Sequence, residues 1–293
     1  MNILTFDIEE WYIEKTYHGG RKEKYAEFDS ILSQILDLLD KVNTKATFFC
    51  VGKMGNDFPE VIKRIASRGH EVACHSNKHV WLNKLTKEEV IEDTRKAVDS
   101  LEQCTGQKVI SYRAPAFSVG ESNPWVFEVL ANCGIKRDAS VFPAVRDFGG
   151  FASFTEKTPS LVTYNGITLK EFPIATIKLL GNEVAYSGGG YFRFFPLSFI
   201  RNQMKQQSYS MIYFHIGDLI VDMKRVMTRE EYEEYFKEKG SFVNRYKRYV
   251  KSNLGTKGAL NKLIKLIENE EFIDLEEADR RIDWGIVPKI ELK

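Results

Sequence analysis

The chain has 293 residues, 43% hydrophobic and 28% charged, a globular composition long enough for one large α/β domain or two small ones. Its 42 Lys and Arg against 41 Asp and Glu leave a formal charge of +1, so no net field marks it for nucleic acid or an acidic surface. No apolar run approaches the roughly 18 residues that cross a bilayer, "MNILTFDIEEWYIEK" lacks a secretion-signal pattern, and Cys50, Cys74, Cys104 and Cys133 show no CxxC spacing; the expected compartment is the cytoplasm.

The first predicted element is a strand, "NILTF" (2–6), followed by a helix from Phe28 with Ile31, Leu32, Ile35, Leu36, Leu39 and Val42 at helical spacing. "ATFFCV" (46–51) is the next strand. Asp57 is the expected N-cap of a helix that carries Pro59, Val61, Ile62 and Ile65 and closes at Gly69. "EVACH" (71–75) is a third strand, and Thr86 with Glu89 forms a capping-box pattern opening a helix that ends at Gly106. Further strands are expected at 108–112, 134–140, 168–174 and 210–216, with helices at 123–133 and 196–207. About seven strands linked mostly by helices argue for a parallel sheet, and the count favours closure into a barrel.

In such folds the C-terminal strand ends converge on the ligand-binding face. Asp7, Glu9, His75, Arg113, Asp138 and His215 all fall there, and His79 follows His75 by four residues. Two imidazoles and one carboxylate make a three-ligand metal site with open positions, the pattern of catalytic zinc. Coordination lowers the pKa of water from about 15.7 to about 7, and a nearby carboxylate can take the proton. Asp7 and Glu9, two apart on an extended chain, share a face and can divide those two tasks.

The series "TFDIEEW", "HSNKH", "RAPAFS", "RDASVFP" and "YFHIGDL", in that order and spacing, resembles the NodB-homology polysaccharide deacetylases over about residues 3–220. "GGGYFRFFP" (188–196) and the segment after 220 resemble its exopolysaccharide and surface-glycan biosynthesis subgroup. The resemblance implies a distorted (β/α) barrel of about seven parallel strands with helices outside, and a metal-dependent hydrolase that removes N-acetyl groups from a sugar or polysaccharide precursor. It implies a barrel over 1–222 and a C-terminal helical extension, 223–293, packed on the same domain.

By the same resemblance Asp7 is the general base, held by Arg113, and His215 the general acid, oriented by Asp138. Glu9, rather than Glu10, joins His75 and His79 around one divalent transition metal, zinc by default, with cobalt, nickel or iron suited to the same donors. The backbone N–H of Ala116 supports the oxyanion. Here "T-F-D-D" becomes "TFDIEE", and the "H-P-W-E" of the subgroup becomes "HIGD" (215–218). Ile216 and Leu219 are then the candidates for an acetyl pocket, while Pro115 and the aromatics Trp11, Tyr12, Trp81, Phe117, Tyr191 and Phe192 are expected near the mouth. His70, before its strand, is expected to be structural. "SGGGYF" lacks a phosphate-loop ending and is expected to be a flexible loop. The basic stretch "NRYKRYVKSNLGTKGALNKLIKLI" is expected as helices packed on the barrel, contact with a phosphate-bearing or lipid-linked substrate being the other reading. The competing functions are hydrolysis of a different amide and a glycan-binding barrel without catalysis.

Overall fold

In Asn2–Ile8 (β1), Leu4, Phe6 and Ile8 face the surrounding helices while Ile3, Thr5 and Asp7 face the other way, the period of two of an extended strand. The computed structural model describes residues 1–145, 149–220, 225–236 and 239–293; the boundary expected at 222/223 falls outside them. The remaining strands are Thr47–Cys50 (β2), Glu71–Cys74 (β3), Ser111–Tyr112 (β4), Arg137–Asp138 (β5), Ser160–Tyr164 (β6), Ile167–Glu171 (β7), Thr176–Leu179 (β8), Asn182–Ala185 (β9), Ser210–His215 (β10) and Lys289–Leu292 (β11).

The order β10-β1-β2-β3-β4-β5-β7 is parallel at every neighbouring pair, which gives the seven parallel strands of the expected barrel. β6 adds antiparallel to β7, β11 adds parallel to β6, and β8 with β9 forms a separate hairpin. Among the described residues no ladder joins β10 to β11, so the wall is distorted rather than evenly closed.

Helices follow the strands as the periodicity requires. Lys22–Lys41 buries Leu32, Ile35, Leu36 and Leu39, and Lys87–Thr105 buries Val90, Thr94, Ala97 and Leu101. Each large apolar side chain so buried contributes about 1.5–3 kcal/mol, against about 1 kcal/mol for a cap, so the apolar faces hold these helices in place. The Thr86–Glu89 capping box forms, and Gly106 closes its helix at φ 71°. Asp57 does not cap Pro59–Ser67: Phe58 holds that position, and Asp57 pairs with Lys15 at 3.0 Å instead.

The chain end is not helical alone. Ala259–Asn269 packs on Lys22–Lys41, and Leu275–Arg281 packs on β1, but β11 then joins the sheet. Alternating "KIEL" gives too short a signal to read without its neighbour β6.

Candidate active site

β1, β3, β4, β5 and β10 all end on one face, and Asp7 and His215 are direct Cα partners across the β1–β10 ladder. Four of the seven described non-glycine residues with positive φ, Ser76, His79, Ala116 and Phe117, lie in the loops after β3 and β4. Left-handed backbone costs such residues about 1 kcal/mol or more each, and that strain gathers at the mouth.

Glu9, His75 and His79 converge there, their donor atoms all within 4.8 Å of one another. Glu9 Oε2 lies 2.5 Å from His79 Nε2 and 3.5 Å from His75 Nε2, yet makes no hydrogen bond. His75 Nδ1 sits 2.8 Å from the Arg113 carbonyl oxygen, which can only accept, so Nδ1 carries the proton and Nε2 presents its lone pair to Glu9. A buried carboxylate oxygen without a hydrogen bond, facing an imidazole lone pair, fits a cation between them. Donors on a tetrahedral ion with bonds of about 2.1 Å would stand roughly 3.4 Å apart, a spacing that the Glu9–His75 pair matches and the Glu9–His79 pair undercuts. Burial alone would raise the Glu9 carboxyl, but His79, His215 and His75 hold it well below the ordinary carboxylate range.

The loop is fixed from behind. Ser76 Oγ accepts the His79 N–H at 2.9 Å, and Asp93 on helix Lys87–Thr105 accepts the Asn77 N–H at 2.7 Å. Glu10 is not among the converging donors: its Oε1 accepts the Gly217 N–H at 2.6 Å. Burial, then the neighbouring Glu9 charge, pushes the Glu10 carboxyl up to about 7.

Opposite the cluster, Arg113 donates to Asp7 Oδ1 at 2.7 Å and Thr5 Oγ1 at 2.9 Å, its guanidinium 4.1 Å above the Phe49 ring. Asp7 Oδ2 is left facing His215 Nε2 at 3.7 Å, and Glu9 Oε1 lies 3.8 Å from the same nitrogen. Burial would lower the His215 pKa, but Glu9, Asp218 and Asp7 together raise it well above the ordinary imidazole value.

The carboxylate behind His215 is Asp218. Its Oδ2 lies 3.1 Å from His215 Nδ1 and accepts the backbone N–H groups of His215 at 3.0 Å and Gly189 at 2.8 Å. Asp138, expected in that place, is turned elsewhere: it accepts from Ser140 Oγ at 2.6 Å and faces Glu171 across the β5–β7 ladder. Burial raises the Asp138 carboxyl to about 6 and, with the Asp138 charge, holds Glu171 well above the carboxylate range. Asp218 was legible only as an acid three residues past His215, a spacing that acquires meaning once the turn Ile216–Leu219 folds it back.

Several expected substrate contacts are core. Trp11 is 1% exposed and packs on Phe28, Phe117 packs edge-on against Phe142 and Tyr213, and Phe192 against Phe214. Tyr12, Pro115, Ile216 and Leu219 are buried as well. Large apolar side chains are more stable packed in the interior than at a wet mouth, and the core claimed them. Trp81 and Ala116 are half-buried and Tyr191 is 39% exposed, so these remain at the surface of the loops. The glycine stretch is not a loose loop. Gly188, at φ 71°, has the Tyr213 ring where a Cβ would lie, 2.1 Å away, and helix Gly189–Phe194 starts directly after it. His70 is buried against Phe48 at the start of β3, the end of the strand opposite His75.

The family description "Polysaccharide deacetylase" matches residues 3–137, and "Domain of unknown function (DUF3473)" matches 139–279. The deacetylase match thus spans a little under half of the chain. The site joins both stretches, Asp7, Glu9, His75, His79 and Arg113 coming from the first and His215 and Asp218 from the second. A peptidoglycan-N-acetylglucosamine deacetylase of Bacillus cereus is 33% identical over 96 residues, 32% of this chain and 35% of that one. A chitooligosaccharide deacetylase of Sinorhizobium fredii is 30% identical over 122 residues, 40% of this chain and 55% of the other. The chain thus spans well under two thirds of these curated relatives. A solved structure, a putative polysaccharide deacetylase from Mycobacterium smegmatis, superposes over 100% of this chain and 93% of its own with a TM-score of 0.64 at 15% identity, a likeness of fold.

Proposed function

We propose that the protein is a metal-dependent hydrolase that removes N-acetyl groups from an N-acetylated glycan or sugar precursor. The observation that carries this reading is the placement of a Glu9–His75–His79 donor set beside an Asp7–His215 pair, with His75 held by the Arg113 carbonyl oxygen, Asp7 by the Arg113 guanidinium and His215 by Asp218.

Glu9, His75 and His79 would hold the ion, zinc being the first choice for two nitrogens and one oxygen, with cobalt, nickel or iron suited to the same set. Such an ion supplies Lewis-acid activation of the acetyl carbonyl and of the attacking water. Asp7, fixed at Oδ1 by Arg113, uses Oδ2 to take the proton of that water. His215, kept protonated by the surrounding carboxylates, donates from Nε2 to the departing amine nitrogen, while Asp218 holds Nδ1 and so the ring plane. The backbone N–H of Ala116, in the strained turn after β4, is the proposed donor to the developing oxyanion.

The exopolysaccharide subgroup remains the reading for the pathway, supported by the glycine stretch that meets Asp218. Four unpaired cysteines favour a reducing compartment, and no described helix is long and apolar enough to cross a membrane. Residues 223–293 serve as an extension of the barrel, a reading supported by the packing of Ala259–Asn269 on Lys22–Lys41.

Acetate release from N-acetylated oligosaccharides, sugar nucleotides and lipid-linked sugars tests the assignment. Wild type is expected to act on one of these classes, with Asp7→Ala and His215→Ala each slower by about 10²–10⁴. Full activity in either variant overturns the mechanism.

A further inference from the structure

The chain is nearly neutral overall, yet residues 239–265 hold eight Lys and Arg and no Asp or Glu. Within that stretch, helix Phe242–Asn253 leaves Phe242 (63%), Tyr246 (50%), Val250 and, just past its end, Leu254 (57%) exposed at four-residue spacing. Four positions at that spacing drift across roughly 120° of a helix surface, one continuous apolar stripe. Val243 widens it, and Phe194 on the neighbouring helix is 69% exposed. Lys247 and Lys257 stand exposed alongside.

The stripe is not waiting to close on the barrel, because the helix is already anchored. Arg245 donates to Gly240 O at 3.1 Å and to Met227 O at 2.8 Å, and Arg193 donates to Ser252 O at 3.1 Å. That last contact ties it to Gly189–Phe194, whose first residue donates to Asp218 behind His215. The apolar and basic surface therefore adjoins the side of the molecule where the candidate site opens.

We infer that helix Phe242–Asn253, with Leu254 and Phe194, docks on an anionic lipid surface, its aromatic stripe entering the headgroup boundary and the exposed Lys247 and Lys257 pairing with lipid phosphates. Charge complementarity decides the occupant. Interfacial helices combine an aromatic and aliphatic face with a Lys- and Arg-rich one, whereas a self-association face gains nothing from gathering a single sign of charge. Docked so, the protein meets glycans carried at a bilayer.

Co-sedimentation of the full chain with vesicles of phosphatidylcholine containing phosphatidylglycerol, and with phosphatidylcholine alone, tests the inference without measuring catalysis. Binding to the anionic vesicles alone is expected, weakened by salt. Lys247→Glu/Lys257→Glu is expected to lower partition by more than about ten-fold, since each basic residue near the surface contributes several-fold. Phe242→Ser/Leu254→Ser is expected to reduce it comparably, with circular dichroism and acetate release from a soluble substrate unchanged. Equal binding to both vesicle types, no binding to either, or a dimer in solution that the Phe242→Ser/Leu254→Ser variant dissociates would overturn the proposal. A wild type that binds vesicles but releases no acetate leaves this inference standing and removes the deacetylase reading.

Discussion

Asp218 Oδ2 accepts the backbone N–H of His215 and faces the ring nitrogen Nδ1 of the same residue at 3.1 Å, so one oxygen fixes both the turn and the imidazole. The neighbouring loop is fastened to that oxygen too, through Gly189. Burial would raise the Asp218 carboxyl, but His215 and these N–H groups hold it below the ordinary range.

Asp218→Asn is therefore expected to cut kcat by about 10–100-fold with little change in KM, as losing an orienting carboxylate does. Asp218→Glu should recover part of the loss. Asp138→Asn, whose target contacts Ser140 and Glu171, should leave kcat within a few-fold of wild type. The reverse order of effects in steady-state kinetics would return the orienting role to Asp138.

Glu9 and Glu10 are adjacent in sequence but separate in what they touch. Glu9→Gln and His79→Ala are expected to lower stoichiometric metal uptake, measured by elemental analysis after dialysis, whereas Glu10→Gln should retain the metal. Glu10→Gln should instead loosen the turn Ile216–Leu219, since Glu10 accepts the Gly217 N–H. Equal metal loss in both glutamate variants would refute the assignment of Glu9.

Gly188→Ala should be among the most damaging small substitutions. The new methyl would meet the Tyr213 ring in a backbone conformation that L-residues adopt at a cost. A loss of about 1–3 kcal/mol in denaturant unfolding is expected, together with reduced activity, because the same turn delivers Gly189 to Asp218.

His70 gives a pH signature. Burial, then the nearby Lys45 charge, lowers its pKa to about 4, from about 6.5 in an unfolded chain. The unfolded state thus binds the extra proton first, and stability present above pH ~6.5 is lost as pH falls toward ~4, by up to about 3 kcal/mol. Urea unfolding at pH 7 and pH 5 should show this slope in wild type and a flatter one in His70→Gln. An unchanged slope would assign the acid sensitivity to other groups.

The sequence by itself determined the alternation of strands and helices, the capping box at Thr86, and the shared face of Asp7 and Glu9. These follow from contacts within a few residues, so spacing alone carries them. It also put His75, Arg113 and His215 at the ends of strands, because a strand end is a local feature even when its neighbours are not. Only the tertiary structure decided which carboxylate stands behind His215, which glutamate faces the histidines, and which aromatics the core would take. Arg113 reaches Asp7 across 106 residues and Gly217 reaches Glu10 across 207, and such pairs exist only after sheet register has set them side by side. Trp11 was drawn into the interior for the same reason: its helix lies against Lys22–Lys41, and a ring that large is more stable buried on Phe28 than at a wet mouth.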